Sequence, residues 1–109
     1  MFTIDKETNQ MTIVMKDTAS FDIAFDNYYL VTGDKVTFTV AKEKESQDPL
    51  IQKELTEFEG GRARIQLSSD DTDLPKGSYY YDIQVDTGDG RIDTVVGPAK
   101  FKVLEGVTY

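Results

Sequence analysis

The sequence contains neither histidine nor cysteine among its 109 residues. Without cysteine the fold has no disulfide and no thiolate nucleophile. Without histidine it lacks the commonest general base, the usual partner of a catalytic serine and the usual ligand of catalytic zinc. No apolar run approaches the roughly 20 residues that span a bilayer, and the start of the chain has no signal-peptide pattern. We therefore expect a protein made in the cytoplasm, without a transmembrane segment and without histidine or cysteine chemistry.

Positive charge is also scarce, since 12 basic residues stand against 20 acidic ones and give a formal net charge of -8. Such a surface repels the phosphate backbone of nucleic acids and the headgroups of anionic lipids. We therefore expect neither nucleic acid nor a membrane as partner. The acidity is expected to serve solubility.

Apolar residues alternate at period two in nearly every informative segment, and no segment sustains a helical period. The clearest run is "KVTFTVAKE", whose threonines suit a pleated, half-solvated surface. The side chains predicted to face inward are Met11, Ile13, Met15, Phe21, Ile23, Phe25, Val36, Phe38, Val40, Ala63, Ile65, Leu67, Tyr79, Tyr81, Ile83, Val85, Ile92, Val96, Phe101 and Val103.

Turn signals separate these runs at the spacing of strands in a sandwich. They are Gly33-Asp34, Gly60-Gly61, Gly88-Asp89-Gly90 and Gly97-Pro98. A further strand is predicted near residues 50–58, ending in a hairpin turn at Gly60-Gly61. About seven or eight short strands over residues 1–109 predict a single all-β domain, an immunoglobulin-like antiparallel β-sandwich, with an up-and-down barrel as the alternative.

The stretch "LSSDDTDLPKGSYYYDIQV" predicts a corner between two strands. Ser68 or Ser69 can cap one short helical turn near residues 69–73, since a serine hydroxyl accepts hydrogen bonds from the first free amides. Leu74 would then close the end of the core, and Pro75 would stop the turn. The remaining corner residues are Gly77, predicted to take a positive φ, Tyr79, predicted to bond back to upstream backbone, and Tyr81, which stands where immunoglobulin domains have a core cysteine.

Residues 67–108 carry an "L-S-x-x-D/E-T" turn, an "L-P-x-G-x-Y-x-Y-D-I" corner and a closing "G-x-F-x-V" strand that ends in Val-Thr. In this respect the chain resembles small tail- and baseplate-associated proteins of bacteriophages and prophages of Gram-positive bacteria, and it is similar to the N-terminal domains of baseplate upper proteins. Those domains have Leu-Thr-Gly before the strand at which this chain has Val31-Thr32-Gly33. The matching residues are Leu67, Ser68, Asp71, Thr72, Leu74, Pro75, Gly77, Tyr79, Tyr81, Asp82, Ile83, Gly97, Phe101, Val103, Val107 and Thr108.

The resemblance implies a non-enzymatic, immunoglobulin-like structural module located in a virion tail, neck or baseplate. Its partners would be other virion or surface proteins, with a homo-oligomer as a further possibility. It implies no catalytic residues. A carbohydrate- or receptor-binding sandwich, in a phage adhesin or a bacterial surface protein, is the alternative function.

Four residues form the predicted interaction surface. Tyr80 must face solvent if Tyr79 and Tyr81 face the core, and Tyr28 belongs to a tyrosine pair of which one ring is expected to be exposed. Val107 and Tyr109 lie in an apolar tail that could add to the sheet edge of a neighbour. Either tyrosine could also stack on a sugar.

The carboxylates offer little chemistry beyond this surface. Asp70, Asp71 and Asp73 are expected to cap and solvate the corner rather than to act as catalytic acids. Calcium could bind the clustered oxygens of "SSDDTD" or "DTGDG", although neither has EF-hand spacing and a hairpin turn explains the second one better. We therefore expect no cofactor, with calcium as the one candidate ion.

Overall fold

The computed structural model describes residues 2–23, 29–43, 48–88, 90 and 92–106, with backbone only for residues 93, 95 and 96. Within this part of the chain the regular structure is all β, and it comprises eight strands. The strands are β1 (Phe2–Ile4), β2 (Met11–Val14), β3 (Ala19–Ile23), β4 (Lys35–Ala41), β5 (Ile51–Leu55), β6 (Ala63–Leu67), β7 (Gly77–Asp86) and β8 (Ile92–Leu104).

The strands form a six-stranded sheet in the order β1-β2-β8-β7-β4-β5 and a two-stranded sheet made of β3 and β6. The order β8-β7-β4-β5 corresponds to strands G, F, C and C′ of a variable-type immunoglobulin sheet, and β3 and β6 correspond to strands B and E. The predicted immunoglobulin-like sandwich is therefore confirmed. Within the described residues the two sheets enclose one core without closing into a barrel.

One part of the fold prediction was wrong, because the sandwich is not purely antiparallel. Strand β2 pairs with β8 in parallel, with Met11 opposite Phe101 and Val14 opposite Leu104. After β2 the chain crosses to the other sheet, which leaves β2 running beside β8 in the same direction. Period-two alternation is the same in parallel and antiparallel strands, so the sequence pattern could not distinguish the two.

The core lies between the sheets and contains the inward positions predicted on β4, β6 and β7. All of these side chains are buried, as are those of Met11, Ile13, Ile23, Phe101 and Val103. Phe38 of β4 lies at its centre, with ring centroids 5.5 Å from Phe21 and 5.6 Å from Tyr81. Phe21, Phe38 and Tyr81 thus connect the strands that a disulfide and a tryptophan connect in antibody domains.

The end of the chain differs from the prediction of two separate strands. Residues 92–104 form one strand, and Gly97-Pro98 lies inside it rather than in a turn. The β7–β8 ladder has register shifts between Tyr81 and Gln84. Glycine is required at position 97 because a Cβ there would lie 2.6 Å from the Cβ of Asp82.

Ile92 was predicted to face inward and is instead 63% exposed. It pairs with Asp86, the neighbour of the buried Val85, and alternation along the strand therefore places it on the outer face of the sheet. Two further residues were predicted to face inward. The side chain of Val96 is not described, and Phe25 lies outside the described residues.

Strand β1 was not predicted, since only three residues alternate there. It forms a hairpin with β2, and the Asp5 carboxylate accepts hydrogen bonds from the amides of Glu7 at 2.8 Å and Thr8 at 3.3 Å in the connecting turn. The strand predicted near residues 50–58 is β5, and it is shorter than expected. Glu59 and Arg62 do flank the predicted turn, but the turn leads from one sheet to the other.

Candidate interaction surface

Three connections meet at one end of the sandwich. Lys35, which begins β4, lies opposite Asp86, which ends β7, and Val36 lies opposite Leu55, which ends β5. The segments next to these residues therefore lie side by side. We call residues 29–34, 56–62, 87–88 and 90, together with Ile92, the loop end. In variable-type immunoglobulin domains the loops of one end form the binding surface.

Asp34 holds two of these segments together. Its carboxylate is buried, with 3% of the residue exposed, and accepts a hydrogen bond from the Val31 amide at 3.0 Å and from the Gly88 amide at 3.2 Å. Hydrogen bonds to a carboxylate are stronger than those between neutral groups. The loop before β4 and the loop after β7 are therefore fixed relative to each other.

Tyr29 connects the segment of residues 29–34 to the third segment, residues 56–62. Its ring covers Gly61 so closely that a Cβ at position 61 would come within 2.4 Å of a ring carbon. Gly60 and Gly61 have φ values of 60° and 74°, and the turn is closed by backbone hydrogen bonds between Glu59 and Arg62. Glycine at position 61 therefore permits both the turn and the position of Tyr29.

The loop end concentrates exposed apolar side chains. Five large hydrophobic residues of the described chain are exposed, and three of them lie here: Tyr29 at 64%, Val31 at 51% and Ile92 at 63%. Glu57, Glu59 and Arg62 on the neighbouring turn are exposed as well. Exposed aromatic and aliphatic side chains at the same end of the fold as charged ones have the composition of a protein-binding surface.

The opposite end of the sandwich contains the predicted corner. Ser68 caps it: the Ser68 hydroxyl accepts from the Asp71 amide at 3.1 Å, and the Asp71 carboxylate accepts from the Ser68 amide at 2.8 Å. The helical turn is one hydrogen-bonded turn, closed by the Thr72 amide and the Ser68 carbonyl, and no longer helix follows. Leu74 is half-buried against the core.

The two corner tyrosines are buried and hydrogen-bonded. Tyr79 makes the predicted bond, donating its hydroxyl to the Pro75 carbonyl at 2.5 Å, and Gly77 has the predicted positive φ, at 154°. The hydroxyl of Tyr81 donates to the Asn9 carbonyl, which connects β7 to the β1–β2 turn. Burial raises the pKa of Tyr79, and it raises the pKa of Tyr81 from 10.0 to about 12.

The carboxylates of the corner have structural contacts. Burial raises the pKa of Asp71, but Lys53, whose Nζ lies 2.8 Å from its Oδ2, and the hydrogen bonds from Ser68 outweigh that effect and lower it overall. Thr72 is fully buried and donates its hydroxyl to the Asp17 carbonyl at 2.7 Å. These contacts join the corner to β5 and to the turn after β2.

The predicted calcium segments show no metal cluster in the part of the chain that is described. No group of three or more histidine, cysteine, aspartate or glutamate side chains there is placed to hold a metal ion. Asp89, in the second segment, lies outside the described residues. The described residues also include no helix that is long and apolar enough to cross a membrane.

The structure differs from the predicted interaction surface at Tyr80. Tyr80 is on the outer face of the large sheet, between Ala41 and Lys100 of the neighbouring strands, but it is half-buried. Tyr28, Val107 and Tyr109 lie outside the described residues. Tyr29 was missed, although the expectation that one ring of the Tyr28-Tyr29 pair is exposed pointed to it.

No family model matches the sequence, and a search of curated proteins returned no match.

Proposed function

We propose that this chain is a non-enzymatic structural module that binds other proteins through its loop end, as a component of a bacteriophage or prophage tail, neck or baseplate. The observation that carries the binding role is the set of three exposed apolar side chains at the loop end, with Tyr29 and Val31 on a segment held by Asp34 and Gly61 and Ile92 on β8. A surface that is already ordered loses little conformational entropy when it binds.

The resemblance of residues 67–108 to tail and baseplate proteins supports the virion context. The lack of histidine and cysteine, together with the structural contacts of Ser68 and Asp71, supports a role without catalysis. The partner is a virion or surface protein with an apolar pocket for Tyr29, since exposed aromatic rings are frequent anchors of protein interfaces.

The first test is mass spectrometry of gradient-purified particles after prophage induction in the strain that encodes the chain. The tryptic peptide "IDTVVGPAK", residues 92–100, identifies it. We expect this peptide at a stoichiometry similar to that of tail proteins. Its presence only in cell-wall fractions would contradict the virion proposal.

The second test separates the loop end from the rest of the surface. Tyr29→Ser should reduce incorporation into particles, because loss of an aromatic anchor typically costs about 2 kcal/mol or more of binding free energy. Leu50→Ser is the matched control, since Leu50 is 46% exposed and lies at the other end of the sandwich. Equal incorporation of both variants would refute the role of the loop end. Binding to a glycan array that Tyr29→Ser abolishes would favour the carbohydrate-binding alternative.

A further inference from the structure

The core is incompletely covered on the side where β3 forms the edge of the small sheet. Strand β6 points Ala63, Ile65 and Leu67 inward, and each is at most 2% exposed. The residues opposite them on β3 are Ile23, Phe21 and Ala19. Phe21 and Ala19 are only half-buried, although they face the same core. Burial therefore decreases from β6 towards the outer edge of β3.

The large sheet shows the same decrease towards β1. Phe2 and Ile4 lie opposite Ile13 and Met11 of β2, which are at most 2% exposed. Phe2 is half-buried, however, and Ile4 is 40% exposed. The rings of Phe2 and Phe21 stack at 5.6 Å with an angle of 16°. We call Phe2, Ile4, Ala19 and Phe21 the seam.

Strand β3 has little of the protection that keeps sheet edges from pairing, since its one charged side chain, Asp22, is paired with Arg64 of β6. Such edges are usually very short, bulged, or marked by proline or inward-pointing charge. β1 has only three residues, and β5 carries the partly buried Lys53, which pairs with Asp71. β3 has five residues in unbroken register with β6, without lysine or proline. No described strand pairs with its outer edge.

We propose that β3 pairs with β3 of a second copy, antiparallel about a two-fold axis at Phe21. In this register Phe21 faces Phe21 of the second copy and Ala19 faces its Ile23, so that apolar side chains meet on the inward face. Ser20 faces Asp22 of the second copy on the outward face. No like charges lie directly opposite each other, and the diagonally placed Asp22 side chains are each paired with Arg64 of their own copy, which favours a second copy as occupant, since one surface complements itself.

The dimer would contain a continuous four-stranded sheet, β6-β3 from one copy and β3-β6 from the other. Each copy would cover the seam of its partner and satisfy the free amides and carbonyls of its edge. This contact is separate from the loop end, so it does not depend on the proposed binding of virion proteins.

The salt dependence of binding distinguishes a second copy of this chain from a basic partner strand. Each copy has a formal net charge of -8, so two copies repel each other, and added salt should strengthen the dimer by screening that repulsion. A basic partner strand on β3 would be attracted by the same charge, and salt would weaken its binding.

Sedimentation equilibrium of the full chain tests the proposal with three variants. Ser20→Asp opposes two pairs of like charges across the axis, which should raise the dimer dissociation constant about 2- to 30-fold. Ser20→Lys creates two opposite-charge pairs and should lower it by a similar factor. Gln66→Asp is the matched control, since Gln66 lies opposite Ser20 on β6, one strand further from the axis. Its effect should be smaller than that of Ser20→Asp.

Either of two outcomes would overturn the proposal: a protein that stays monomeric at millimolar concentration and high salt, or a dimer that responds equally to Ser20→Asp and Ser20→Lys. Since the chain has no cysteine, a mixture of Ser20→Cys and Asp22→Cys proteins gives a second readout. Disulfides should form mainly between the two different variants. Disulfides mainly between identical variants would refute this register.

Discussion

We expect the free energy of unfolding to fall at alkaline pH because the hydroxyl of Tyr81 is buried, and Tyr81→Phe should remove this loss. Burial raises the pKa of Tyr81 to about 12, from an ordinary value of 10.0. The folded state thus binds this proton more tightly than the unfolded state. Its contribution is complete below pH 10 and is lost as the pH rises towards the folded pKa. The shift is worth about 1.4 kcal/mol at about pH 11 and about 2.7 kcal/mol well above pH 12.

At neutral pH the wild-type protein should be more stable than the Tyr81→Phe variant. Tyr81→Phe removes the hydrogen bond to the Asn9 carbonyl, so it should lower the free energy of unfolding by about 0.5 to 1.5 kcal/mol. The variant has no hydroxyl to ionise, however. The stability curves of wild type and Tyr81→Phe should therefore cross between about pH 10 and pH 11, above which the variant is the more stable protein.

Urea denaturation followed by far-ultraviolet circular dichroism, from about pH 9 to about pH 11.5, measures both curves. Absorbance near 295 nm counts ionised tyrosines in parallel, which is practical because the chain has six tyrosines and no tryptophan. Tyr79→Phe is the control, since it keeps Tyr81 and should keep most of the alkaline loss. Wild type and Tyr81→Phe losing stability in parallel across this range would refute the reasoning.

Three further predictions concern the loop end and the outer face. Asp34→Ala should lower the free energy of unfolding by about 1 to 3 kcal/mol, measured by urea denaturation, because two amides lose a buried acceptor. Gly61→Ala should impair partner binding as much as Tyr29→Ser in the incorporation assay, whereas Gly60→Ala, with nothing within 4 Å of the new Cβ, should leave binding intact. Burial raises the pKa of Asp82, so Asp82→Asn should increase the urea midpoint at neutral pH, with the gain disappearing below about pH 3.8.

The strands that the sequence predicted well are those with a core on one face and solvent on the other. Val36, Phe38 and Val40 are buried because the pleat alternates strictly along β4, and the same rule holds for β6. Local chemistry was equally informative at the corner, where Ser68 and Asp71 cap each other three residues apart.

The sequence predictions were wrong where the position of a side chain depends on residues far away in the sequence. Ile92 faces outward because it pairs with Asp86 on the outer face, and alternation within β8 does not show which residue of β7 it pairs with. The direction of β2 relative to β8 depends on where the chain crosses between sheets. The loop end was missed for the same reason: Tyr29 and Gly61 are far apart in sequence, and the fold brings them into contact.

The two proposed surfaces have a joint geometric consequence. β3 ends at Ile23 and runs towards the loop end, so an antiparallel β3 pair would place the two loop ends at opposite poles of the dimer. Such a dimer could connect two neighbours, whereas a monomer binds one. If this bridging matters, Ser20→Asp should lower incorporation into particles even though the loop end is intact, and Ser20→Lys should not. Reduced incorporation of Tyr29→Ser together with normal incorporation of Ser20→Asp would instead indicate that the loop end acts alone.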